Sequence, residues 1–209
     1  TLINQIAAGE VIERPAAAVK ELVENAIDAG STRIDISLNH GGKSLIVIDD
    51  DGIGMSASDL AAATDRHATS KLLDDDLTHI ASLGFRGEAL PSIGAVSRMR
   101  ITTAKNGEAH SIDIEGGKKS DIMPAARQKG TRIEVRDLFY ATPARLKFLK
   151  TDRSEYLAVK DVLLRLAMAY PDIGFTLKHH DKTMFKYPRL NGDMLDNRLA
   201  RLSAIMSKE

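Results

Sequence analysis

Between Pro15 and Gly30 the apolar residues Val19, Leu22, Val23, Ala26 and Ile27 recur at helical spacing, and directly afterwards the apolar period drops to two. That switch constrains the fold more than any other feature of the chain. A helix with one apolar stripe has to cover something, and the next two segments offer a surface with one apolar face. Pro15 suits the first turn of the helix and Gly30 the position just past its end. Residues 33–38 (RIDISL) alternate with Ile34, Ile36 and Leu38 on one face, HGGK turns the chain, and residues 44–49 (SLIVID) supply the partner strand. A short helix is expected from about Ser56, and strands at 99–103, 110–114 and 131–135. A long helix over 153–170 carries Leu157, Val159, Leu163, Leu164, Leu166 and Ala167 and is stopped by Pro171. A hairpin (GFTLKHH, DKT, MFKYP) and a last helix from about Met194 follow. The expected fold class is an α/β (α+β) two-layer sandwich, its mixed, largely antiparallel sheet covered by helices on one face.

The bulk numbers narrow the function classes. A chain of 209 residues with 43% apolar and 28% charged residues suits one globular domain. Its 29 Lys and Arg balance 29 Asp and Glu, so no global field draws it to nucleic acid or to an anionic membrane. With no cysteine, the chain has no disulfide framework, thiolate zinc site or cysteine nucleophile. It contains no apolar run of about 18 residues and no signal-peptide pattern, and the expectation is a cytoplasmic protein without a membrane partner. It opens on Thr1 and ends in a charged helical stretch, as a fragment of a longer protein would.

Four stretches carry possible chemistry. In ELVENAIDAG, Glu21 and Asn25 are four apart and share a helix edge, with Asp28 three further on; that edge borders the apolar stripe. A carboxylate and an amide oxygen so placed suit a hard cation and a water, and they equally suit an ordinary solvated edge. Asp50-Asp51-Gly52-Ile53-Gly54 follows a strand; it reads either as a turn or as a cleft whose acid accepts a hydrogen bond from an amino group. Residues 65–94 hold Thr69, Ser70, Lys71, Gly84, Gly87 and Gly94 with little period, and a long irregular stretch in a compact domain is more often functional than idle. Glycines ahead of a helix-forming stretch there would present N–H groups to phosphate. Gly130-Thr131, taken alone, is a turn leading into a strand.

In combination and order the pieces say more. ELVENAIDAG, DDGIGM, RHATSK, GFRGEAL and KGTRIEV together closely resemble the N-terminal ATPase region of the MutL family of DNA mismatch repair proteins, and NQIAAGEVIERPAAAVK at the start matches too. That family shares its nucleotide-binding fold with type II topoisomerase B subunits, the ninety-kilodalton heat-shock chaperones and sensor histidine kinases. The resemblance runs from about Asn4 to at least Leu149 and is generic beyond Lys150.

The resemblance implies an ATP-binding, Mg²⁺-dependent ATPase. Glu21 would be the general base on the attacking water, and Asn25 would place its amide oxygen on Mg²⁺. Asp28 would brace that neighbourhood, and Glu24 would point away from it. Asp50 would accept the adenine amino proton, Gly52 and Gly54 would give the nucleotide room, and Thr131 would reach the same base edge. Thr69 and Lys71 would lie in a lid of about residues 65–94, and the backbone of Gly84, Phe85, Arg86, Gly87, Glu88, Ala89 and Leu90 would wrap the terminal phosphate. The whole of 1–209 would be a single ATP-binding domain. The family's further lysine lies on a second domain that is absent or barely begun here. By resemblance, ATP would favour a homodimer of the full-length protein and couple a mismatch sensor to a downstream nuclease or helicase, with slow hydrolysis in this fragment.

Two kinds of alternative stand beside this reading. A sensor kinase, topoisomerase or chaperone shares the Glu/Asn helix and the Asp-Gly-x-Gly turn, but RHATSK and GFRGEAL do not fit those lids. A nucleotide-binding or DNA/protein assembly module without productive hydrolysis is the other. Zero net charge argues against a self-sufficient DNA binder, so DNA would be held weakly or only by the full-length protein. The basic stretch Arg145-Leu146-Lys147 with Lys150 and Arg153 reads as solvated surface, and His179-His180 as a strand end.

Overall fold

The pleat of each strand sends alternate side chains to opposite faces, and in this chain the apolar set falls on the same face strand after strand. The computed structural model describes residues 12–65 and 88–207. In it β1 (Arg33–Asn39) pairs antiparallel with β2 (Leu45–Asp50), which pairs antiparallel with β7 (Gly130–Arg136). Beyond β7 lie β3 (Arg98–Lys105) and β4 (Glu108–Glu115), with β5 (Lys118–Lys119) and β6 (Met123–Pro124) both on β4. On the other side β1 takes β8 (Gly174–His179) in parallel, and β9 (Lys182–Tyr187) closes that edge. The order is β5-β4-β3-β7-β2-β1-β8-β9, and β1–β8 is the parallel pair among the described strands.

The registers line up one apolar row across the sheet. Ile112 faces Ile101, then come Ile133, Ile48, Ile36, Leu177 and Phe185, each at most 6% exposed. The reverse face carries Asp35, Asp49, Arg100, Asp113, Arg132, Glu134 and Lys178 and stays open. One face therefore had to be covered, and α1 (Pro15–Asp28), α3 (Ala89–Val96) and α5 (Asp152–Ala169) cover it. Helix α1 buries Val19, Leu22, Val23 and Ala26. It ends with the Ser31 N–H on the Ala26 carbonyl and the Gly30 N–H on Ile27, which needs the positive φ of +70° at Gly30. Helix α2 (Ala57–Ala63) starts from a reciprocal Ser56/Asp59 cap; α4 (Pro143–Leu146) is a single turn.

Two buried charged groups fix the helix layer. Glu155 of α5, 1% exposed, accepts Nε and Nη2 of Arg14 at 3.1 and 2.9 Å and the Lys150 N–H at 2.9 Å. It ties the entry to α1 onto α5. Arg201 of α6 (Met194–Met206), also 1% exposed, donates to the carbonyls of Ala167, Pro171, Ile173 and Pro188. Among the described residues no helix is long and apolar enough to cross a membrane.

Candidate functional site

Alternation along β2 sets the site. Ile46, Ile48 and Asp50 share the covered face, and Asp49 points to the open one. Asp50 is 4% exposed, and its Oδ1 accepts the N–H groups of Gly52 at 2.8 Å and Thr131 at 3.2 Å. Burial pushes its carboxyl above the ordinary value, although those two N–H groups and the nearby Arg127 charge oppose the rise. Asp51, one residue on, has a different task. It accepts the Thr32 N–H, the Thr32 hydroxyl and the Arg33 N–H at 2.6–2.9 Å, and so anchors the start of β1.

Beside Asp50 stands a pair of hydroxyls. Thr131 of β7 lies 3.0 Å from Thr103 of β3, oxygen to oxygen, and both are buried. The Met55 N–H donates to the Thr103 hydroxyl at 2.9 Å, which folds the 52–55 turn down over β3. The glycines permit that approach. A Cβ on Gly54 (φ +65°) would sit 1.9 Å from the Ala104 carbonyl oxygen, and one on Gly52 would meet Ala29 and Ser31 at 2.8–2.9 Å. Their bareness is required by the neighbouring chain.

The same turn is bound to the end of α1. The Ile53 N–H donates to the Ala29 carbonyl at 3.0 Å, and the Ser31 hydroxyl to Ala26 at 2.6 Å. The helix that carries Glu21 and Asn25 is thereby fixed to the loop that follows Asp50. Both side chains are half-buried on the edge of the stripe, as their spacing predicts. Asp28 is exposed and does not share that condition. Glu24 is 7% exposed and paired with Lys20 at 2.9 Å, a buried carboxylate that the spacing gave no sign of.

Glu88, Ala89 and Leu90 form the start of α3, which packs on α1. The segment read as irregular over 65–94 is therefore helical from Ala89 onward. Thr69, Lys71, Gly84, Phe85, Arg86 and Gly87 lie outside the described residues. The structure thus brings Asp50, Gly52, Gly54 and Thr131 to one corner, joins that corner to the helix of Glu21 and Asn25, and sets α3 against that helix. Arg127 and Thr103 are residues at this corner that the sequence did not signal. The Arg127 guanidinium meets Asp49 and the carbonyls of Asp50 and Gly130.

The family model described as histidine kinase-, DNA gyrase B- and HSP90-like ATPase matches residues 12–132. The DNA mismatch repair protein MutL of Rhodopseudomonas palustris is 65% identical over 87% of the chain, which covers 31% of that relative. The MutL protein of Bradyrhizobium diazoefficiens is 59% identical over 100% of the chain and 35% of its own length. The chain thus spans about a third of the curated relatives it matches. Among solved structures, the Aquifex aeolicus MutL ATPase domain complexed with ADP superposes with a TM-score of 0.78 at 28% identity, over 94% of this chain and 70% of that one.

Proposed function

This chain belongs to the histidine kinase-, DNA gyrase B- and HSP90-like ATPase family, as a MutL-type N-terminal ATPase domain, and from that premise we propose that it binds Mg²⁺-ATP at the Asp50 corner. In the full-length protein the site hydrolyses ATP slowly and acts as a conformational and dimerisation switch in DNA mismatch repair. The observation that carries this reading is Asp50 itself. It is a carboxylate removed from water, held by two N–H groups on one oxygen and flanked by buried hydroxyls. An adenine amino group donating to it adds a partner beside those N–H groups and the Ser31 hydroxyl, in place of water that burial removes. The similar Aquifex aeolicus MutL ATPase domain was solved complexed with ADP, which supports nucleotide binding by a domain of this kind.

Two other parts of the proposal follow from position. Glu21 orients the attacking water and takes its proton; a carboxylate is a weak base, so placement supplies much of the effect. Asn25 offers an amide oxygen to Mg²⁺. When bound, Mg²⁺ would be held in part by that amide oxygen and would neutralise charge on the phosphates. The first-turn N–H groups of Ala89 and Leu90 lack intrahelical acceptors and suit phosphate oxygens. In this reading Thr69, Lys71 and residues 84–87 contribute contacts to the sugar and phosphates. Homodimerisation, a cytoplasmic location, and coupling to a mismatch sensor and a nuclease or helicase extend the proposal to the whole protein.

Glu21→Gln in the full-length protein tests the enzymatic part. ATP affinity is expected to change by less than about threefold while hydrolysis falls by about a hundredfold or more. Unchanged turnover would remove Glu21 from the mechanism. A wild-type protein that binds ATP without turning it over would leave the alternative, an assembly module switched by nucleotide binding alone.

A further inference from the structure

The β2–β7 ladder ends one step too early for the residues that matter. Its register runs from Leu45↔Arg136 to Asp49↔Arg132, and Asp50 and Thr131 lie just beyond it. There the Thr131 N–H turns to the Asp50 carboxylate at 3.2 Å. The two strands still lie close there, since a Cβ on Gly130 would sit 2.1 Å from the Asp50 carbonyl oxygen.

Arg127, from the segment between β6 and β7, occupies that gap. Its Nη2 donates to the Asp50 carbonyl at 2.7 Å and to Asp49 Oδ1 at 2.8 Å, and its Nε donates to the Gly130 carbonyl at 3.0 Å. Its side chain is 13% exposed, so these bonds compete little with water. Asp49 keeps a second partner, Arg132 at 2.9 Å, and would remain paired if Arg127 were lost. The Asp50 carbonyl is the acceptor that depends on Arg127 at the end of the ladder. A planar fork spans two carbonyls and a carboxylate; a lysine ammonium is a point charge and does not.

We propose that Arg127 is a positioning residue for adenine recognition: its guanidinium replaces the missing ladder step, clamps the Asp50 and Gly130 carbonyls, and thereby fixes the Asp50 carboxylate and the Thr131 edge against the base. The inference rests on the reading of Asp50 as the group that takes the adenine amino proton. It gives Arg127 an effect on which base is bound, beyond any effect on how stable the sheet is.

The test compares ATP with inosine triphosphate, which has a carbonyl where adenine has the amino group. Dissociation constants of both are measured by calorimetry with Mg²⁺ for wild type, Arg127→Gln, Arg127→Lys and Arg132→Gln, each first shown folded by a thermal melt. Arg127→Gln is expected to weaken ATP about tenfold and inosine triphosphate little, so the preference for adenine shrinks by about that factor. Arg127→Lys restores only part of it. Arg132→Gln, which removes ion pairs on the open face and leaves both carbonyls clamped, keeps the wild-type preference. Equal weakening of both nucleotides by Arg127→Gln, or an unchanged preference, would overturn the proposal. If Arg127→Gln is unfolded at the assay temperature, Arg127→Lys decides by the same ratio. A wild type that binds both nucleotides equally would instead overturn the reading of Asp50, and the proposal with it.

Discussion

Asp50 costs the free protein stability at neutral pH, because its carboxyl is buried. Its folded carboxyl sits above the ordinary value because burial outweighs the N–H groups of Gly52 and Thr131. For an acid raised on folding, the favourable contribution is complete below the unfolded pKa and disappears as pH rises through the folded one. Asp50→Asn keeps an oxygen for both N–H groups and removes the charge. The ligand-free variant is therefore expected to melt above wild type at pH 7, and the two to converge as the pH falls below about 4. A variant that melts below wild type at pH 7 would show that the carboxylate is structural. Asp49 is the opposite case: burial would raise it, but the hydrogen bonds and charges of Arg127 and Arg132 hold it below the ordinary range. Two adjacent acids on one strand differ because the pleat sends them to opposite faces. That much was legible from the alternation of SLIVID. Arg127 was not legible, since 78 residues separate it from Asp49 and no local pattern reports a contact of that range.

At the level of elements, the sequence was informative where period and punctuation agree. Helix α1 starts at Pro15 and ends before Gly30, and β1, β2, β3, β4 and β7 fall where alternation put them. Helix α3 was hidden because ALPSIGAV carries a proline and a glycine, both helix breakers. Pro91 is tolerated in the first turn, where an N–H has no intrahelical acceptor. Gly94 is there for packing, since a Cβ would sit 2.8 Å from Ile114 Cγ2. Leu157, assigned to the apolar stripe of α5, is half exposed, while Glu155 is buried because Arg14 arrives from far along the chain. The short strands β5 and β6 have two residues each, too few to show a period. Helix α6 is held by Arg201, whose four carbonyl partners belong to the end of α5, the loops after it and the exit of β9. Arg201→Met removes that donor from all four carbonyls, of which Pro171 keeps the Leu190 N–H. It is expected to destabilise the domain by about 3 kcal/mol, read as a lower urea midpoint at unchanged slope. A loss below about 1 kcal/mol would mean that water replaces the guanidinium.

For the whole molecule, covering one face of a sheet and leaving the other polar was predictable from the apolar row alone. The parallel β1–β8 pair was not, because alternation fixes faces and leaves strand order open. The same limit applies to the site. Motifs named Glu21, Asn25, Asp50 and Thr131, but only the fold shows that the Ala29–Ile53 bond and the Thr103–Thr131 pair join them. Adenine nucleotide is proposed to bind at this corner. The most direct measurement is a thermal melt of the domain with Mg²⁺ and a non-hydrolysable ATP analogue, for wild type and Asp50→Asn. At a ligand concentration about 100 times Kd, binding should stabilise wild type by about 2.7 kcal/mol, several degrees in Tm. The same ligand concentration should leave Asp50→Asn unshifted. A wild type without a shift, or a variant shifted equally, would contradict the claim.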